Sequence, residues 1–134
     1  MKNLLIIFLL FYSSIVKSEG SLTASVTSIR LAIDDNHLTT IYFNIINQTK
    51  ELEYLVNAEI VGYPEAKLSI NKTVIDAGVA RIIKIENLII PSKSTISLKS
   101  LRIFLAVKNY PKTTKNCKIK FNFTKGQSIY ANIN

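Results

Sequence analysis

The sequence predicts an all-β fold, a single antiparallel sandwich or barrel, on three observations. Apolar and polar residues alternate with period two from Thr23 onward, β-branched and aromatic residues crowd the apolar positions, and polar or glycine-containing turns recur at short spacing. No segment holds an i, i+3, i+4, i+7 apolar stripe over three helical turns. A chain of 134 residues has room for one domain of ordinary size.

The first eighteen residues read as a secretory signal peptide rather than as part of that fold. Lys2 precedes an apolar run from Leu4 to Val16, and Val16-Lys17-Ser18 forms a cleavage site before Glu19. The run is about 13 residues, too short to cross a ~30 Å hydrocarbon core as a helix. The expected domain is therefore 19–134, exported from the cytoplasm.

In the first strand, Ala24, Val26, Ser28 and Arg30 fall on one side, with Ser25, Thr27, Ile29, Leu31 and Ile33 on the other. Asp34-Asp35-Asn36 makes a polar turn. Thr40–Asn47 is a β-branched and aromatic strand, and Tyr54–Val61 a third, closed by Gly62 and Pro64. Lys67–Ile75 and Val79–Ile85 flank Asp76-Ala77-Gly78, a hairpin in which glycine supplies the positive φ. Leu88–Ile90, Thr95–Leu98, Leu101–Lys108, Cys117–Thr124 and Ser128–Ile133 complete the set.

Composition narrows the chemistry. The chain has one Cys, one His and one Met, and Met1 lies in the signal peptide. No internal disulfide or Cys/His zinc site can form, and a nucleophilic centre would have to use Cys117 or His37. Cys117 alternates onto the apolar face with Ile119, Phe121 and Phe123, which predicts a small buried core residue. His37 follows the Asp34-Asp35-Asn36 turn and is expected to be exposed. No acid–base constellation stands out, so an enzyme is not expected. The net charge of +8 is unevenly divided: residues 19–86 hold all nine acids and six bases, and residues 87–134 hold nine bases and no acid. That basic C-terminal half is compatible with lysine-protected strand edges, an acidic protein partner or a membrane surface. The expected exported location argues against nucleic acid. Asn47-Gln48-Thr49, Asn71-Lys72-Thr73 and Asn122-Phe123-Thr124 fit the N-glycosylation pattern, as chance allows in a chain rich in Asn and Thr.

The order of segments from Ser25 to Lys125 resembles the PCu(A)C family of periplasmic copper chaperones. The matching features are Thr40–Asn47 with Leu55 beyond it, Asp76-Ala77-Gly78-Val79, Leu88-Ile89-Ile90-Pro91, Ile96-Ser97-Leu98-Lys99, Arg102–Val107, and Lys118–Thr124 before Gly126. The resemblance implies a periplasmic location and a cupredoxin-like sandwich that holds Cu(I) through His and Met and delivers it to cytochrome c oxidase. Soft thioethers and imidazoles suit that ion.

The four family ligand positions fall here on Asn71, Ile82, Arg102 and Phe104, and none is His or Met. The approach to Arg102 is also about two residues shorter than the family pattern, with Ser100-Leu101 in place of a glycine-rich turn. Arg102 would set a fixed positive charge beside an incoming cation. The expectation is an accessory or partner-binding protein without a metal cofactor, its partner in the cell envelope, cytochrome c oxidase or its assembly factors included. The alternatives are a copper chaperone with replacement ligands such as Cys117 or His37, and a basic module that associates with membrane surfaces.

Overall fold

The computed structural model describes residues 21–31, 38–112 and 116–133. The segment 1–18 expected to be a signal peptide, the polar turn expected at Asp34-Asp35-Asn36, and His37 lie outside the described residues. The described chain forms β1 (Leu22–Arg30), β2 (Thr39–Asn47), β3 (Glu53–Ile60), β4 (Lys67–Asp76) and β5 (Val79–Lys84). It continues with β6 (Leu88–Ile90), β7 (Ser94–Ser97), β8 (Ile103–Lys108), β9 (Lys118–Phe123) and β10 (Ser128–Asn132). All pairings are antiparallel.

The strands make two facing sheets. The larger has the order β1-β2-β8-β4-β5, with β7 also pairing β2; the smaller has the order β10-β9-β3-β6. β8 takes the start of β2 (Thr39–Ile41) and β7 its end (Asn44–Asn47), so these two short strands share one side of a long one. The core lies between the sheets, where the period-two pattern sends every second side chain. Ile41, Phe43 and Ile45 of β2, Leu105 of β8, Leu55 of β3, and Ile119 and Phe121 of β9 are fully buried there. Phe43 and Phe121 meet across the gap with ring centroids 4.8 Å apart. Each such aromatic contributes about 1.5–3 kcal/mol by leaving water.

Besides a register shift in β3 between Leu55 and Asn57, three features depart from what simple alternation predicts. In β1 the register shifts between Val26 and Ser28, so Thr27 is an extra residue and the faces exchange. Leu22, Ala24 and Val26 before the shift, and Ile29 after it, therefore all pack toward the core, and Val26 and Ile29 share a side that strict alternation denies them. The strand expected from Leu101 starts at Ile103 instead. Buried Leu98 anchors the preceding turn, its carbonyl accepting the N–H of Leu101 at 3.1 Å and of Ile103 at 2.8 Å. Arg102 closes this turn at φ 60°, the left-handed region non-glycine residues seldom occupy. In the β4–β5 hairpin both Ala77 (φ 52°) and Gly78 (φ 80°) are left-handed, the two-residue turn whose twist suits a hairpin.

Asn47 is the polar residue at the centre of the fold's tie-points. It is fully buried at the end of β2. Its Nδ2 donates to the carbonyls of Glu51, Ile90 and Pro91 at 3.0–3.2 Å, while its Oδ1 accepts from the Thr49 backbone N–H and Oγ1. One amide thus joins the end of the larger sheet to β6 of the smaller.

Candidate functional site

The register of β5, β4 and β8 gathers the four positions singled out by the family resemblance. Asn71 lies opposite Phe104 on β8 and opposite Lys84 on β5. Thr73, two residues on and hence on the same face, lies opposite Ile82, and its N–H donates to the Arg102 carbonyl at 3.0 Å. Opposed residues share a face, so Asn71, Ile82 and Phe104 all stand on the outer face of the larger sheet, with Arg102 in the turn at its end. Asn71 and Phe104 are 8% and 9% exposed, whereas Ile82 is 66% exposed.

An amide, an alkyl, a guanidinium and a phenyl group supply no soft donor for Cu(I). The Asn71 Nδ2 is occupied with the Ser69 carbonyl (3.1 Å) and Oγ (2.8 Å). The Phe104 ring leans on Tyr42 of β2 at 6.4 Å, and Lys99 sits 5.5 Å from the Tyr42 ring centroid, a cation–π geometry. Among the described residues no three His, Cys, Asp or Glu side chains gather as a metal-ligand set. Cys117 is 7% exposed in the core cluster between the sheets, away from the outer face.

Charge is the positive property of this face. Arg30 lies beside Thr40, which pairs with Ala106, which pairs with Ser69; Lys108 and Lys67 pair directly two residues further on. With Lys84 opposite Asn71, four strands each present an exposed base on the outer face. No acidic residue of these strands shares that face, because Asp76 lies on the opposite face of the hairpin with Arg81. None of the four bases is in an ion pair with another described residue. Lys99 and Arg102, both exposed, extend the cluster at the turn before β8.

The cluster was not visible in the linear charge pattern. Arg30, Lys67 and Lys84 come from the half with net negative charge, and only Lys108, Lys99 and Arg102 from the basic half. Conversely, Lys120 and Lys125 of the basic half meet acids from the other half. Lys120 lies 3.8 Å from Glu59, and Lys125 bonds the Glu51 carboxylate and lies 3.4 Å from Glu53. The signal that could have found the cluster is strand parity: Lys67 shares the parity of Asn71 on β4, and Lys108 that of Phe104 on β8.

Compared with known proteins, the chain matches no protein-family model and no curated protein.

Proposed function

We propose that this protein is an exported binding module without a resident metal, which presents the basic outer face of its larger sheet to an acidic protein partner in the cell envelope. The observation that carries the reading is the set Arg30, Lys67, Lys84 and Lys108, four exposed bases from four strands on one face with no strand acid among them. Unpaired like charges on a rigid sheet repel one another, and an anionic surface relieves that repulsion while steering the encounter. The resemblance to PCu(A)C copper chaperones adds a cupredoxin-like origin for the sandwich and an association with cytochrome c oxidase or its assembly factors. The residues at the four ligand positions favour partner binding over copper delivery, and nothing among the described residues favours catalysis.

Two measurements test the proposal. The wild-type protein and the double variant Lys67→Glu/Lys108→Glu are immobilised and exposed to envelope extract at low and high salt. The wild type should retain acidic proteins at low salt that high salt and the double variant both release. Equal retention by the two proteins overturns the reading. A competition titration with a Cu(I) chelator should find no stoichiometric copper complex; finding one restores the chaperone alternative.

A further inference from the structure

The β4–β5 hairpin has an open edge that the packing of the sandwich leaves uncovered. Of the edge strands, β1 packs beside β10, and β6 is only three residues long. β5 is six residues long and exposed along its whole length on both faces. Its apolar side chains point both ways, Ile82 (66% exposed) to the outer face and Val79 (61%) and Ile83 (42%) to the other.

Hairpin geometry fixes which backbone groups face outward. The two-residue turn at Ala77-Gly78 makes Asp76 and Val79 the closing, mutually hydrogen-bonded pair. Hydrogen-bonded pairs then recur at Arg81 and Ile83, so the N–H and C=O of Ala80, Ile82 and Lys84 point away from β4. Two neighbouring bonds agree with that phase. Ile85 donates inward to the Ile70 carbonyl at 2.8 Å, and Thr73, opposite Ile82, donates away from β5 to Arg102.

We infer that the β5 edge is a strand-addition site for an extended, acidic segment of the partner protein, an inference that rests on the proposed reading of the basic face. An added strand pairs with the outward groups of Ala80, Ile82 and Lys84, and its side chains cover Ile82 on one face and Ile83 on the other. Charge selects an acidic segment. Lys84 on one face, and Lys72 and Arg81 on the other, outnumber the single hairpin acid, Asp76, which already pairs with Arg81 at 3.4 Å. A bilayer fits less well, because inserting apolar side chains from both faces would drag the Asp76–Arg81 pair and an unpaired strand edge into hydrocarbon. A second copy fits less well too, since two β5 strands would bring two sets of Arg81 and Lys84 into one short ladder.

The test uses the full chain and a blocked peptide, Glu-Glu-Val-Ile-Val-Glu-Glu, with its all-lysine counterpart as control. Proline replaces an outward-facing N–H at an edge strand without cutting the ladder behind it, so Ile82→Pro removes the central donor and keeps the basic face. The acidic peptide should slow amide exchange at Ala80, Ile82 and Lys84, and should bind at least about tenfold more tightly than the lysine peptide. Ile82→Pro should weaken that binding by at least about tenfold while the far-ultraviolet circular dichroism is unchanged. If Ile82→Pro does not fold, an acidic peptide N-methylated at its central isoleucine replaces it, and should neither bind nor protect. Binding without protection at those three amides, equal binding of the lysine peptide, or indifference to Ile82→Pro and to N-methylation overturns the inference. So does self-association of the wild type, or attachment to phosphatidylglycerol vesicles, that Ile82→Pro abolishes. The two readings fail separately. Loss of envelope partners in Lys67→Glu/Lys108→Glu but not in Ile82→Pro overturns the edge and leaves the face. Loss in neither variant overturns both.

Discussion

Asn71 of β4 and Phe104 of β8 stand opposite each other on the outer face of the larger sheet, both nearly buried. Directly opposed Cβ atoms in an antiparallel pair lie about 4.5–5.5 Å apart, near enough for two side chains to grip one ion. Here the pair is structural. The Asn71 amide is held by Ser69, and the Phe104 ring packs beside Tyr42, so the pair fills the face where a ligand set would have to open.

Restoring soft donors at the resemblance positions should therefore create copper affinity. The quadruple variant Asn71→His, Ile82→Met, Arg102→His and Phe104→Met removes the fixed charge of Arg102 and places two imidazoles and two thioethers around one end of the face. The expected outcome is a stoichiometric Cu(I) complex of the variant in a chelator competition titration, with none in the wild type. A variant that folds and still binds no copper would show that these positions do not converge as their register implies.

Asn47 should be among the least replaceable polar residues. Asn47→Ala removes the buried amide donor that the Glu51, Ile90 and Pro91 carbonyls share and unties the end of β2 from β6. The expected loss is about 2–3 kcal/mol in urea unfolding. Asn47→Asp should be worse, because an ionised carboxylate cannot donate and would face three carbonyl oxygens. Its penalty should grow as pH rises and the new carboxyl ionises, a trend absent from the alanine variant.

Strand positions were readable in the sequence because burial on one face imposes period two, and a slip of one residue would expose a whole core row. Ile41, Phe43 and Ile45 state that rule plainly, as do Cys117, Ile119, Phe121 and Phe123. The bulge at Thr27 escaped it, since an extra residue reverses parity without changing composition. Arg102 likewise carries no local mark of its left-handed backbone, which is imposed by the bonds that Leu101 and Ile103 donate to the Leu98 carbonyl. The basic face was illegible for a different reason. It is assembled by pairing Lys67 with Lys108 over a long sequence separation and Arg30 with Thr40 beyond a bulge, and linear charge counts cannot see pairing.

The Lys125 cluster should give stability a pH dependence of known sign. Hydrogen bonding and charge attraction from Lys125 hold the Glu51 carboxyl below its ordinary range, and Glu51 in turn raises the Lys125 ammonium. A lowered carboxyl contributes above its unfolded pKa, and that contribution is lost as pH falls through the folded value. A raised ammonium contributes below its unfolded pKa and loses its contribution as pH rises through the folded value. Both groups are exposed, so salt should weaken the effect. Urea midpoints of wild type and Glu51→Gln should differ most near neutrality and converge in acid. Lys125→Met should cost more than Glu51→Gln, because it also strips a cation from buried Glu53, leaving Gln127 as its hydrogen-bond donor at 3.0 Å.

Cys117 and Tyr63 supply an alkaline counterpart. Tyr63 packs half-buried against the core, and a side-chain hydrogen bond with Cys117, reinforced by charge interaction and desolvation, raises its phenol above the ordinary tyrosine value. A raised phenol keeps its proton longer in the folded chain, so its contribution is complete below the unfolded pKa and is lost as pH rises through the folded one. Cys117→Ala removes the first and largest cause. In that variant the Tyr63 ring should titrate at lower pH, closer to the ordinary tyrosine value, when followed by NMR of labelled tyrosine rings. The wild-type thiol, buried in the core beside Ile133, should react with a thiol reagent only as fast as the chain opens, and denaturant should accelerate the reaction in step with unfolding. Rapid labelling under native conditions would place Cys117 within reach of solvent, and an unmoved Tyr63 titration in Cys117→Ala would remove the thiol as the cause of its shift.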